Sequence, residues 1–417
     1  MKALHRLSIP LVTLVLVGVP VFWAFPDDLP VARSAGIVLG WVGCGLLLAN
    51  LLLMLREVRL TEFFGSLERM YTWHHVLGTL AYLVLLVHPL AFAVDAAQHS
   101  AHQAWATLSP WRERWPIWLG WAALICLMCG LAAAFSRKLG YPVWRWLHGL
   151  LVLAVLFGFA HLILLGLSQT LLFALLLATV LMLWRVLRID CGLAARPFLV
   201  DHVETQANGV LEISLRPLAT LLNAKPGQFA MFAFFDGPHF QGCREYHPYT
   251  ISAVDSDGKL RIGVKSLGDC THQLQSLTAG VAVRVQGPFG SFLRDRGNGP
   301  ELWVAGGIGI TPFIAVLRGE PLGHPVRLHY FYREPADAAY VEELRTLASR
   351  QATLDLEIRV GLGDAQALAN TLPDAGTLAG CRCYLCGPPG LLSSVIGILE
   401  SRDVPQDAIY FERFDFR

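Results

Sequence analysis

Charge is what this sequence has least of. Asp, Glu, Lys and Arg make up 16% of its 417 residues, against 54% hydrophobic residues, and the mean hydropathy is +0.48. A soluble domain carries nearer a quarter charged residues. The deficit lies almost wholly before about residue 190, so the chain reads as a membrane block followed by a soluble block. A basic tract is also missing, and the net charge is only +1, which argues against a nucleic-acid partner. No second Cys or His cluster accompanies Cys381, Cys383 and Cys386, so neither a zinc ribbon nor a plant-type iron–sulfur run is written there. The nine scattered cysteines, with Cys126 and Cys129 in an apolar stretch, read as reduced cytoplasmic thiols. No Ala-x-Ala follows the first apolar stretch, so residues 7–25 read as a retained helix rather than a cleaved signal peptide.

What is present begins with six apolar segments, at 7–25, 35–55, 73–94, 115–135, 146–166 and 170–184 with its flanks. A membrane-spanning helix needs about 20 such residues. Residues 56–70 form an amphipathic connector, and 95–114 a polar loop carrying His99 and His102. Lys2 and Arg6, then Arg56, Arg59 and Arg69, then Arg137, Lys138 and Arg145, then Arg185 and Arg188 fall on one side of six spans. That bias predicts a multi-pass protein of the inner, cytoplasmic membrane with both termini inside.

Residues 73–94 contain no acid, Lys or Arg, yet hold His74, His75 and His88; residues 147–184 are equally bare and hold His148 and His161. Ionisable residues inside a membrane are costly and point to function. His74 and His88 are fourteen positions apart, roughly 21 Å of helix rise and about 40° off one face. His148 and His161 are thirteen apart, which leaves ideal-helix imidazoles about 140° apart. Either that helix is locally rewound or its ligands meet it from different sides. Two such helices side by side suit bis-imidazole ligation of two stacked b-type haems. His74 and His148 would hold the one near the cytoplasm, His88 and His161 the one near the outer face. Pro89 is expected to kink the helix just after His88.

Past Arg188 the texture changes. Short alternating runs at 198–203, 210–215, 228–235, 249–254, 260–264 and 282–286 predict a small antiparallel β-barrel. From residue 301, strands at 302–305, 327–331, 354–359 and 383–386 alternate with helical stretches such as 340–349, predicting a doubly wound α/β unit. The expected domains are a six-helix transmembrane bundle over 1–190, a barrel over 195–295 and the α/β unit over 300–417.

Six motifs carry the chemistry. Arg-Glu-Tyr-His-Pro-Tyr-Thr-Ile-Ser stands at 244–252, Val-Lys-Ser-Leu-Gly-Asp-Cys-Thr at 264–271 and Gly-Pro-Phe-Gly at 287–290. Trp-Val-Ala-Gly-Gly-Ile-Gly-Ile-Thr-Pro-Phe occupies 303–313, Cys-Gly-Pro-Pro-Gly 386–390, and Tyr-Phe-Glu-Arg-Phe-Asp-Phe-Arg 410–417. In this order, after a membrane block with paired histidines, they resemble the superfamily of NADPH oxidases and ferric reductases in a compact single-chain bacterial form, from about residue 35 to the end.

The resemblance implies a membrane haem domain, a barrel that binds FAD and an α/β lobe that binds NADPH or NADH. It assigns His247, Pro248, Tyr249, Thr250 and Ser252 to the flavin motif, with Tyr249 against flavin and ribitol and Thr250 bonding the ring. It sets Lys265, Gly268 and Thr271 at the FAD pyrophosphate, where glycine admits the backbone and hydroxyl and amides donate, and counts Gly287 among the cofactor-binding residues. The position before Thr271, usually aromatic in the family, is Cys270, which suggests looser FAD retention. Gly306, Gly307, Gly309 and Thr311 would receive the dinucleotide at a helix N-terminus. Cys386, Gly387 and Pro388 resemble the Cys-Gly-Pro turn whose cysteine sits near the nicotinamide. Phe414, with Phe416 as second choice, resembles the terminal aromatic that covers the flavin. Arg333 is placed to meet the adenosine ribose or its 2′-phosphate, favouring NADPH, although Glu334 beside it would repel that phosphate.

The implied activity is hydride transfer from cytoplasmic NAD(P)H to FAD, then single electrons through the inner and outer histidine pairs to an acceptor outside. Dioxygen giving superoxide is the leading acceptor. A metal chelate, which His99 and His102 could dock, and a periplasmic partner protein are the alternatives. No obligatory protein partner and no regulatory switch are expected.

Overall fold

The computed structural model describes all residues except 1, 24, 113, 137, 167–169, 295, 320, 362–364 and 413–417. The chain divides into two compact units, Met1–Leu193 and Ala194–Arg417.

The first unit is helical. In order it holds α1 (Lys2–Trp23), α2 (Val31–Leu53), α3 (Val58–Phe64), α4 (Leu67–Ala97), α5 (Ala101–Thr107), α6 (Trp115–Phe135), α7 (Tyr141–His148), α8 (Leu150–Leu164) and α9 (Thr170–Trp184). Five stretches among the described residues are long and apolar enough to cross a membrane: α2, α4, α6, Val143–Leu164 across α7 and α8, and Leu172–Asp190. The segment expected at 7–25 is helical, but its apolar part, Leu7–Trp23, is shorter than the others. Helix α2 lies at the centre, with 72% of its apolar window buried against 11–28% for the other four. Their outward faces are apolar as well: Phe173 is 73% exposed, Phe135 65% and Leu176 61%. Water would penalise such a surface and hydrocarbon would not.

Two local readings change. The 95–114 loop contains α5, whose N-cap Ser100 accepts from Gln103 N–H at 3.1 Å. Pro89 sits inside α4, which continues to Ala97. The helix expected over 146–166 is two pieces, interrupted at Gly149 immediately after His148. There Val152 N–H donates to Gly149 at 3.1 Å, a tighter i→i+3 bond. The backbone is therefore tightened locally at Gly149, between His148 and His161.

The second unit starts with a closed barrel of six antiparallel strands: β1 (Arg196–Ala207), β2 (Val210–Pro217), β3 (Phe229–Phe234), β4 (His247–Val254), β5 (Leu260–Lys265) and β6 (Ala282–Phe289), in the order β1-β2-β5-β4-β3-β6. Every second residue points inward, and Phe198, Val200, Ile213, Leu215, Phe232, Phe234, Ile262 and Val264 fill the interior. A short helix, α10 (Asp269–Gln273), leads from β5 towards β6.

Five parallel strands follow: β7 (Glu301–Gly306), β8 (Val326–Tyr332), β9 (Leu354–Val360), β10 (Arg382–Cys386) and β11 (Ile409–Glu412), in the order β11-β10-β7-β8-β9. Between them run α11 (Thr311–Leu317), α12 (Val341–Arg350), α13 (Ala365–Thr371), α14 (Ala375–Leu378) and α15 (Pro389–Ser401). Alternate residues of the sheet enter two apolar clusters. Trp303, Tyr330 and Tyr384 pack with Phe313 and Leu344, while Leu302, Val304 and Leu385 pack with Leu391 and Val395. Strand order reverses at β7, the kind of point where open α/β sheets form a ligand crevice.

Arg318, at the end of α11, binds barrel and sheet together. Its Nη1 and Nη2 meet the Glu212 carboxylate on β2 at 2.8 and 3.1 Å, and its Nε and Nη2 meet Glu343 on α12 at 2.7 Å each. Ser252 Oγ on β4 also donates to Glu212, at 2.9 Å. Removing one partner of a buried pair leaves an uncompensated charge, at about 3–5 kcal/mol. Arg318→Met is expected to lower the thermal stability of the second unit by about that amount, measured by melting. Arg345→Ala breaks only an exposed pair with Glu342 and is expected to cost under about 1 kcal/mol.

Candidate functional site

Four histidines line the inside of the helical unit in two levels. His74 on α4 and His148 at the end of α7 face each other with ring centroids 6.3 Å apart. A metal–imidazole bond is about 2.0–2.1 Å, and with roughly 1.1 Å from nitrogen to ring centre a linear N–metal–N unit spans about 6.3 Å. The two rings thus leave room for one ion between them. Trp144 stacks on His148 at 4.9 Å, and the Asn50 amide of α2 donates to His74 Nδ1 at 2.7 Å and to the His74 carbonyl at 2.9 Å while accepting from Gly78 N–H.

At the other level His88 and His161 lie within electrostatic reach of each other. His88 Nδ1 is 2.7 Å from the Gly36 carbonyl and His161 Nδ1 is 2.8 Å from the Pro116 carbonyl. A carbonyl only accepts, so both Nδ1 atoms carry the proton and both Nε2 atoms keep a free lone pair. That is the tautomer a metal needs, fixed by a backbone partner on the far side of the ring. Room for each ring comes from a glycine four residues beyond the carbonyl. A Cβ on Gly40 would stand 3.0 Å from the His88 ring, and one on Gly120 the same distance from the His161 ring. At His88 and His161 the donor set and these cradles fit ligation of a haem iron. The sequence reading missed Gly36, Gly40, Asn50, Pro116 and Gly120; the signal available was glycine and one amide inside otherwise bulky apolar helices.

In the barrel the flavin motif is strand β4. Tyr249 packs on Phe232 and Phe234, with ring centroids 6.0 and 6.5 Å away, and burial raises its phenol pKa. Its hydroxyl and the Thr250 hydroxyl are buried without a hydrogen-bond partner in the protein. Buried polar atoms are rarely left so, so each hydroxyl has room for a partner from a bound group. His247 is half-buried, and desolvation lowers its pKa. Ser252 is turned away from this role, its hydroxyl spent on Glu212. Thr271 Oγ1 accepts from Leu267 and Gly268 N–H at 2.8 Å each and donates to the Gly268 carbonyl, so it holds the phosphate-type turn closed from within. Lys265 ends β5 and Gly287 lies in β6. The expectation that every cysteine is a free thiol is overturned here, because Cys243 and Cys270 form a disulfide. Their chain segments come to the same edge of the barrel, which linear spacing did not reveal.

The two nucleotide motifs meet across neighbouring strands, with Cys386 on β10 in register with Ala305 on β7. Gly307 has a left-handed φ of 55°. A Cβ on Gly309 would lie 2.3 Å from the Cys386 carbonyl oxygen, so the turn 306–309 rests directly on the turn 386–388. Thr311 is buried and its hydroxyl donates to the Ile308 carbonyl at 2.9 Å. Cys386 is fully buried, and desolvation, reinforced by Glu412, pushes its thiol pKa well up, so it is a neutral thiol. Arg333 and Glu334 are exposed just past β8. Phe414 and Phe416 lie outside the described residues.

Comparison with known proteins agrees with this division. Residues 39–159 match the ferric reductase like transmembrane component, and residues 197–295 match an FAD-binding domain. Over 192 residues the chain is 30% identical to the ferredoxin–NAD(P)+ reductase component of naphthalene 1,2-dioxygenase/salicylate 5-hydroxylase systems from Ralstonia sp, covering 43% of this chain and 56% of that one. The corresponding naphthalene 1,2-dioxygenase component of Pseudomonas putida is 24% identical, covering 52% and 67%. The chain therefore spans about half to two thirds of the length of these relatives. Among solved structures, the FAD/NAD binding domain of a Vibrio cholerae nitric oxide dioxygenase aligns at 22% identity and TM-score 0.45, over 52% of this chain and 98% of that one. Phthalate dioxygenase reductase aligns at 23% and 0.43, over 54% and 68%.

Gly309→Ala tests the contact between the two turns. It is expected to cut NAD(P)H-dependent flavin reduction at least about tenfold, one such factor being about 1.4 kcal/mol of lost transition-state stabilisation, in stopped-flow traces, with FAD content unchanged.

Proposed function

From the premise that this chain is a ferric-reductase-like transmembrane domain fused to a ferredoxin-reductase-like FAD domain, we propose that it carries electrons from cytoplasmic NAD(P)H through FAD and two b-type haems to an acceptor on the outer face of the inner membrane. In this reading α1 is the sixth span, both termini are cytoplasmic, and dioxygen is reduced to superoxide outside. The observation that carries it is the pair of membrane imidazoles, His88 and His161, whose Nδ1–H groups are tied to backbone carbonyls with Nε2 left open.

The bound cofactors supply the redox chemistry, FAD exchanging two electrons with nicotinamide and one at a time with haem iron. The chain supplies position. His74 and His148 hold the inner site, and His88 and His161 the outer one, about 20 Å further along α4 by helix rise. Tyr249 and Thr250 present two unpaired hydroxyls to the flavin. Gly306, Gly307 and Gly309 bring backbone amides to the dinucleotide phosphates, and the neutral Cys386 thiol borders the nicotinamide without adding charge. No side chain needs to act as acid or base in the transfers between haems. Dioxygen or a metal chelate is then the small-molecule acceptor, with no obligatory protein partner.

The visible spectrum of detergent-purified protein before and after anaerobic NADPH tests this. Two b-type haems per chain with a Soret band that shifts on reduction are expected; flavin absorbance without haem would reduce the protein to a membrane-tethered flavin reductase. His148→Ala is expected to lose one haem and block acceptor reduction while flavin reduction survives, and full acceptor reduction by that variant would sink the ligand assignment. Cytochrome reduction abolished by superoxide dismutase identifies dioxygen as acceptor. Anaerobic activity that persists on ferric chelate identifies a metal-chelate reductase instead.

A further inference from the structure

Cys243 lies four residues ahead of His247, and Cys270 is the second residue of α10. Folding brings their Cα atoms to 5.6 Å, within the range a disulfide spans. His247 completes the group: one ligand atom from each of Cys243, His247 and Cys270 lies within 4.8 Å of the other two. His247 Nε2 is buried and makes no hydrogen bond in the protein. The Glu245 carboxylate stands 3.7 Å from it, too far for a hydrogen bond. An aromatic nitrogen withdrawn from water and left unpaired is costly. Two sulfurs and an imidazole at this spacing are the donor set of a borderline-soft divalent ion.

We propose that, once the disulfide is reduced, Cys243, Cys270 and His247 bind a zinc-class divalent cation, with the two sulfurs shared between disulfide and metal states. In the first step the disulfide takes two electrons and two protons from a thiol reductant, which is itself oxidised to its own disulfide. In the second, one M²⁺ binds both sulfurs and the imidazole and releases the two thiol protons, with water in the remaining tetrahedral position. Either state ties the segment before β4 to α10, and therefore to the turn at Gly268 that Thr271 closes. Only the metal-free dithiol lets the two move independently. The inference is independent of the haem and acceptor assignments, because it concerns the barrel alone.

The test uses the full chain in detergent. The protein is reduced with a trialkylphosphine, which is converted to its oxide, then exposed to Zn²⁺, desalted and analysed for bound metal. Reduction is expected to add one zinc per chain. Cys243→Ser and Cys270→Ser are each expected to weaken that binding more than tenfold, while Cys191→Ser and Cys383→Ser keep it. Unmutated protein provides a second readout that does not depend on a variant folding. Bound zinc is expected to slow maleimide labelling of Cys243 and Cys270 at least tenfold by peptide mapping, leaving exposed Cys191 unchanged. No zinc gained on reduction, labelling of Cys243 and Cys270 unaffected by zinc, or binding lost in Cys383→Ser but kept in both site variants would each overturn the proposal.

Discussion

An imidazole enclosed by hydrocarbon must find a partner for its N–H, and the first unit is built around that requirement. Water is not available there, and an unpaired polar group costs several kcal/mol. The solution occurs twice in the same form. His88 reaches the carbonyl of Gly36 past Gly40, and His161 reaches the carbonyl of Pro116 past Gly120. In each case residue i supplies the acceptor and residue i+4, one turn on and on the same face, has no side chain to block the ring. Helix pairing, ring orientation and tautomer follow from this one contact. A Cβ at position 40 or 120 would stand 3.0 Å from the ring, so the imidazole would have to give by a few tenths of an ångström.

The second unit meets a different requirement, since two folds of different strand geometry must share one edge. Arg318 answers it by clamping Glu212 of the barrel and Glu343 of the α/β lobe with one guanidinium fork. A planar fork suits this better than an ammonium would, since it meets both oxygens of Glu212 while still facing a second acid. One guanidinium faces two carboxylates, and Ser252 adds a hydrogen bond to Glu212. That use of Ser252 also shows how a residue inside a binding motif serves the scaffold rather than the ligand.

Much of the architecture was legible in the residue order because its signals are periodic. Long uncharged runs marked helices, short alternating runs marked barrel strands, and Gly-rich turns after apolar runs marked the nucleotide lobe. The interruption at Gly149 was not legible, since a single glycine in an apolar run reads as continuous helix; only the misphased spacing of His148 and His161 hinted at it. The Cys243–Cys270 pairing was also hidden. Twenty-seven positions separate the two cysteines, and nothing local indicates that the segment before β4 and the start of α10 share an edge.

The sequence by itself determined which groups are scarce enough to matter: five histidines in two uncharged stretches, and glycines and hydroxyls in six ordered motifs. Composition and periodicity suffice for that, because the cost of burying charge and the pitch of helix and strand are local properties. Only the tertiary structure decided which atom of each group is free. The Nε2 atoms of His88 and His161 are open because carbonyls on other helices hold Nδ1. The Thr250 hydroxyl is open and the Ser252 hydroxyl is not, because Glu212 reaches only the second. Hydrogen-bond partners come from segments distant in the chain, and the direction of a side chain's remaining valence is set by them.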